Sequence, residues 1–144
     1  MPAVHRNALM PFSARTMFDI VNDVSRYPEF LPWCGDVKIT SQSEQAMEAS
    51  ILMKKGKLNH WFSTANTMLV GERIEMTLVD GPFKSLDGVW EFIAFDESSS
   101  KVKLDLNFEF SSGITAVLLA PIFTKIANSM VDSFCSRAHE LNRL

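Results

Sequence analysis

The stretch Val102-Lys103-Leu104-Asp105-Leu106-Asn107-Phe108-Glu109-Phe110-Ser111 alternates without a break. Val102, Leu104, Leu106, Phe108 and Phe110 fall on one face. Lys103, Asp105, Asn107, Glu109 and Ser111 fall on the other. A strict period of two predicts an antiparallel strand with one packed and one wet face. Directly after it the period changes. Ile114, Val117, Leu118, Pro121, Ile122, Ile126, Met130, Phe134, Ala138 and Leu141 recur at three and four residues. That is the spacing of an amphipathic helix. Taken as one helix, 114–143 would be about 45 Å long, against about 26 Å for an eight-residue strand. Pro121 lies inside the run and predicts a break. The expected outcome is a shorter leading segment to Ala120 and a main helix from Pro121.

Upstream lie more strand-like segments. Leu86–Phe95 precedes the alternating strand, and Asp80-Gly81-Pro82 marks a turn before it. Arg73–Val79 puts Ile74, Met76 and Leu78 on one face. Leu58–Val70 is long, and its inward parity stays open. Met47–Met53 aligns Met47, Ala49, Ile51 and Met53, and Asp36–Ser41 is the first strand of the meander. Near the N-terminus Val4–Met10 reads as a strand. Ser13 is a good N-cap for a helix carrying Met17, Phe18, Ile20, Val21 and Val24 and ending near Tyr27. Tyr27-Pro28-Glu29-Phe30-Leu31-Pro32-Trp33-Cys34 follows. Its two prolines exclude a long helix or an inner strand. It predicts a stiff aromatic turn, with one short helical turn at Pro28–Leu31, that lids either a cavity mouth or the end of an ordinary core.

The fold class is therefore α+β. A curved antiparallel sheet of six to seven strands wraps a long C-terminal helix, with two short helices after the first strand. A helix about 10 Å wide does not fill the inside of such a sheet. Side chains fill the remainder, or it encloses a cavity. The inward Met47, Met53 and Met76 suit both outcomes, because methionine adapts to irregular gaps and to varied ligands.

The chain has 144 residues, so 1–144 is expected to be one domain with a substantial core. Hydrophobic residues make up 47% and charged residues 22%, which fits a soluble globular protein. A net charge of −3 argues against a partner bound by bulk positive charge, DNA above all. Cys34 and Cys135 are far apart and read as free thiols. The N-terminus has no apolar stretch of the secretory kind, and the run Ala116–Phe123 falls far short of the roughly 20 residues that span a bilayer. The expected place is the cytoplasm, with peripheral contact at a membrane surface.

Little points to catalysis. His5, His60 and His139 fall on separate elements with no metal-ligand spacing around them. No GxSxG, P-loop or GxGxxG is present. Glu91 and Glu109 lie in adjacent strands, yet both fall on the wet face. His60 reads as an inward histidine beside Phe62. The expectation is a non-enzyme with no metal and no required cofactor. Lys54-Lys55-Gly56-Lys57 is the basic cluster. Lys54, Lys55 and Lys57 form either a solvated hairpin tip or a contact for RNA phosphates or lipid headgroups.

Several motifs together resemble a known family. Ser13 to Val37, with Met17-Phe18, Asn22-Asp23-Val24 and the Tyr27–Cys34 stretch, is similar to the opening of the coenzyme Q-binding START-like proteins. Bacterial members of that family include ribosome association toxins. Asp80-Gly81-Pro82-Phe83 with Leu86, Gly88 and Trp90 resembles its central motif. Phe108-Glu109-Phe110-Ser111 and Met130-Val131 with Phe134, Arg137 and Ala138 resemble its C-terminal part. The resemblance covers nearly the whole chain. It implies a helix-grip fold of the START-like, Bet v 1-like kind. It implies two functions: binding ubiquinone or its isoprenoid tail in support of respiratory electron transport, or binding the large ribosomal subunit and blocking subunit joining. The wider superfamily adds a third, a cyclase-like enzyme. In the first case the ligand-lining residues are expected to be Met47, Met53, Phe62, Met76, Trp90 and Phe108, with Val117, Leu118, Ile122 and Met130 from the helix. Phe30, Leu31, Trp33 and Phe83 are expected at the mouth.

Overall fold

The computed structural model describes residues 3–56, 58–111 and 113–142. In chain order the elements are β1 (Ala3–Met10), α1 (Ala14–Asn22), a 3-10 turn (Val24–Arg26) and α2 (Tyr27–Phe30). Then come β2 (Cys34–Gln42), β3 (Ala46–Lys55), β4 (Leu58–Leu69), β5 (Arg73–Asp80), β6 (Phe83–Asp96), β7 (Ser99–Phe110) and α3 (Gly113–Leu141). The strands form one antiparallel sheet in the order β1-β7-β6-β5-β4-β3-β2. Strands β2 to β7 are a plain meander, and β1 adds to its far edge beside β7. Register shifts at Cys34/Asp36, Ile39/Ser41, Ser63/Thr64, Phe83/Ser85 and Ala94/Asp96 bend the strands, so the sheet curves.

The alternation read from Val102–Ser111 holds along β7. Val102, Leu104, Leu106, Phe108 and Phe110 are all buried. Against this face α3 sets Leu119, Phe123, Ile126, Ala127, Val131, Phe134 and Ala138. The expected break at Pro121 does not occur: α3 is one helix of 29 residues, about 44 Å long. Pro121 is exposed, as are Val117 and Leu118 one turn earlier. The carbonyl that loses its N–H partner therefore meets water, and the Pro ring meets no neighbouring element.

The N-terminal connector explains how the aromatic turn is held. Ser13 caps α1 by accepting the Thr16 N–H at 3.1 Å. The helix stops at Asn22, earlier than the sequence suggested, because Asp23 leaves helical geometry (φ −85°, ψ 68°) and a 3-10 turn takes over. The buried Tyr27 hydroxyl donates to the Val21 carbonyl and ties α2 to α1. The rings of Tyr27 and Phe30 lie 5.3 and 5.5 Å from that of Phe134. The Arg137 guanidinium sits 4.9 Å over Phe30 and donates to Glu29 at 3.0 Å. The stretch is a clasp between α1, α3 and the start of β2.

Arg26 and Arg137 hold the Glu29 carboxyl below its ordinary range, Arg26 having the larger effect through its hydrogen bond. A depressed carboxylate contributes stability above its unfolded pKa and loses it as pH falls through the folded value. The clasp is therefore a contact that acid loosens. Arg137→Ala should lower the urea-derived stability by about 0.5–1 kcal/mol through the lost stacking on Phe30 alone. An unchanged midpoint at unchanged slope would show that the stacking contributes nothing.

Candidate functional site

The curved sheet and α3 do not fill the interior completely. A mainly apolar, partly open cavity of about 60 Å³ remains between them. The sheet contributes Ala49, Ile51, Phe62, Thr64, Asn66, Met76, Leu86, Trp90 and Leu106. The helix contributes Phe123, Ile126 and Met130, and the connector contributes Val24, Tyr27 and Trp33. Its floor exists because β6 carries a glycine. A Cβ at Gly88 would come within 2.8 Å of Met76 Cε and 2.9 Å of Leu106 Cδ1. These two side chains lean into the place a larger residue would take.

Three residues that line this greasy volume, Thr64, Asn66 and Trp33, carry polar groups of note. Thr64 and Asn66 are both buried on β4, and the Thr64 hydroxyl donates to Asn66 Oδ1 at 3.0 Å. The Trp33 indole N–H is buried and has no partner among the described residues. An orphaned buried donor costs roughly 1–3 kcal/mol. A carbonyl oxygen reaching Trp33 would remove that cost.

Of the expected lining residues, Phe62, Met76, Trp90 and Met130 border the cavity. Met47, Met53 and Phe108 are buried but pack elsewhere in the core, and Ile122 is only partly buried beside it. Val117 and Leu118 are corrected: they are 75% and 60% exposed on α3 and do not border this cavity. The expected mouth is not a rim. Leu31, Trp33 and Phe83 are buried, with Trp33 on the cavity wall itself. Phe30 borders an outer groove with Arg26 and Arg137. Sequence reasoning missed Thr64 and Asn66. Their signal was two polar residues at one parity in a long strand, which becomes readable only once that parity is known.

The parity of β4 also decides its outer face. Phe62, Thr64 and Met68 point inward, so Trp61 points out. There Lys38 Nζ stands 4.7 Å over the Trp61 ring. Lys54 and Lys55 are exposed at the adjoining hairpin, and Lys57 lies outside the described residues. His60 shares the inward parity of Phe62, pairing with Met53, but it is exposed at the strand end.

Acid–base machinery is not assembled among the described residues. No three His, Cys, Asp or Glu side chains gather as a metal site. Glu91 pairs with Lys103 and Glu109 with Ser85, so six positions of strand, about 20 Å, separate the two carboxylates. Burial pushes the Cys34 and Cys135 thiols up to about 11. Both stay protonated at neutral pH and are poor nucleophiles. Iodoacetamide at pH 8 should therefore modify the native protein far more slowly than the urea-unfolded chain. Equal rates would contradict the burial.

A cavity of this size is well below the roughly 300–1,000 Å³ of typical ligand pockets. A molecule of quinone size would not fit in this conformation without widening it.

A family model described as polyketide cyclase/dehydrase and lipid transport matches residues 10–135. The chain is 47% identical over 138 residues to the ribosome association toxin RatA of Pseudomonas aeruginosa, covering 96% of each. It is 25% identical to the mitochondrial coenzyme Q-binding protein COQ10 homolog B of Xenopus laevis, covering 90% of this chain and 55% of that protein. Among solved structures, the ZhuI aromatase/cyclase from a Streptomyces species superposes with a TM-score of 0.84 at 11% identity, over 99% of this chain and 96% of that one. At that identity the likeness shows a shared fold alone. With its seven-stranded curved sheet, clasped connector and long C-terminal helix, the chain belongs to the START-like polyketide cyclase/dehydrase and lipid transport family, and within it to the ribosome association toxin RatA group.

Proposed function

We propose that this protein acts without catalysis, by associating with the ribosome through its outer surface in the cytoplasm. The large subunit is the expected partner and hindered subunit joining the expected consequence. The observation that carries this reading is the 47% identity, end to end, with a protein named for ribosome association. The small cavity is consistent with it, since an external contact does not need an enlarged interior. Adding the purified protein to a bacterial lysate should shrink the joined-ribosome peak of a sucrose gradient and enlarge the free-subunit peaks. An unchanged profile at excess protein would count against the proposal.

A second reading has its own support. The buried, unpartnered Trp33 N–H on an apolar wall suits a lipophilic molecule with a carbonyl, such as ubiquinone with its isoprenoid tail. The identity to a coenzyme Q-binding protein supports the same chemistry at greater distance. Each buried CH₂ adds about 0.8 kcal/mol of driving force, part of which is spent on widening the cavity. Loading from a bilayer would then bring peripheral membrane contact. Gly88→Val is the discriminating variant. By pushing the Met76 and Leu106 side chains into the cavity it should abolish saturable uptake of ubiquinone while leaving ribosome association intact. Uptake unchanged in the folded variant would remove this cavity as the site.

A further inference from the structure

We propose that the outer face of β2, β3 and β4 at their Lys54–Lys55 end is a binding surface for single-stranded RNA, with a base stacked on Trp61. The proposal rests on the ribosome reading and names the chemistry of its contact. Trp61 is 37% exposed, whereas Trp33 and Trp90 are buried. It lies on the wet side of the sheet, opposite Leu52 of β3, which in turn pairs with Asp36 of β2. An aromatic ring presented on a flat strand face is the platform on which unpaired bases stack.

Cations surround that platform. Lys38 stands over the ring, and Lys54 lies on the same face, one outward position nearer the hairpin; Lys55 has the parity of the inward Met53 and is exposed only at the strand end. Among the described residues none of the three lysines is in an ion pair. Arg6, Arg15, Arg26, Arg73 and Arg137 each have a carboxylate partner. Lys84 is likewise paired with Glu109; of the lysines without an ion pair among the described residues, Lys101, Lys103 and Lys125 lie on β7 and α3, and Lys38, Lys54 and Lys55 lie at the Trp61 end of β2–β4. The latter three gather there on a chain whose net charge is −3. Asp36 is the acidic neighbour, and its Oδ1 already accepts the Val37 N–H at 2.8 Å.

The Lys38 ammonium now occupies the ring, an exposed contact that is weak. A base stacking there would displace it, and the freed ammonium would meet the adjoining phosphate. A polyanion with flat bases fits this face better than a lipid surface. Trp61 stands three pairs back from the Lys55–Leu58 closing pair, about 10 Å from the tip, and does not project from a loop.

Fluorescence anisotropy of labelled oligoadenylate RNA, with pelleting on purified large ribosomal subunits, tests the surface. The proteins are the wild type, Trp61→Ala, Trp61→Phe and Lys38→Glu/Lys54→Glu/Lys55→Glu, each checked for an unchanged circular dichroism melt. Wild-type affinity should fall steeply with salt. Trp61→Ala should weaken RNA binding by about tenfold, Trp61→Phe much less, and the triple variant should lose it. Pelleting should follow the same order. If the wild type does not pellet yet binds the oligonucleotide through Trp61, the ribosome reading fails and the RNA surface stands. If all variants pellet like the wild type, the ribosome reading stands and this surface is overturned. Equal oligonucleotide binding by Trp61→Ala overturns it too, as does binding to phosphatidylglycerol vesicles with none to RNA.

Discussion

Trp90→Ala is expected to lower the stability of the fold by about 3–5 kcal/mol, the largest effect of any single truncation considered for this chain. Trp90 is 1% exposed and is the largest of the fully buried side chains. Its ring meets Phe134 of α3 edge-on at 5.3 Å and lies parallel to Phe92 at 6.4 Å. It therefore joins the middle of the sheet to the C-terminal half of the helix. Truncation removes the transfer energy of an indole and leaves a void, because β6 is pinned on both sides by β5 and β7 and cannot collapse inward. The void would merge with the existing cavity that Trp90 borders. Urea unfolding should show a lower midpoint. A loss below about 1 kcal/mol would mean that the interior is less tightly packed than the ring contacts require.

Gly81→Ala should be the most damaging of the small substitutions, at about 2–3 kcal/mol. Gly81 sits between β5 and β6 with φ 143°, a region that side-chain-bearing residues rarely enter. A Cβ there would come within 2.7 Å of Phe62 Cβ and 3.2 Å of Phe62 Cα, and backbone has little room to move aside. The position also sets the entry of Phe83, whose ring touches Phe62, Phe110 and Phe123 at 5.9, 4.6 and 5.0 Å. Strain at the turn therefore reaches the aromatic cluster that covers one end of the core. A melting temperature unchanged from the wild type would overturn this account of the turn.

The fold was legible in the sequence wherever one face is uniformly apolar. In β7 and β5 burial alone chose the residue at each position, so period two located both strands and their inner faces. In β4 two other demands compete with that pattern. Thr64 and Asn66 are polar and inside, while Trp61 and Leu69 are large, apolar and outside. Averaged over the strand the signal cancels, which is why its parity stayed open and why Trp61 went unnoticed. Pro121 misled for a related reason. A proline on the solvent side of a long helix costs one hydrogen bond that water replaces, and sequence alone does not say which side faces solvent.

The cavity was only partly legible. Inward parity identifies which residues are in the core but not where the core is imperfect. Met47, Met53 and Met76 look alike in the sequence. Only Met76 lines the cavity, because it lies across from Gly88 in the β5–β6 register. Val117 and Leu118 have the composition of a core turn and are nevertheless exposed, since composition does not distinguish a covered apolar turn from an open one.

Association with the ribosome is most directly tested by sedimenting the purified wild-type protein with isolated large and small subunits through sucrose gradients, at low and at high salt. Co-migration with the large subunit at low salt, released as salt rises, is the predicted result. Protein that stays at the top of the gradient with both subunits at every salt concentration would contradict the ribosome reading and leave the cavity as the seat of function.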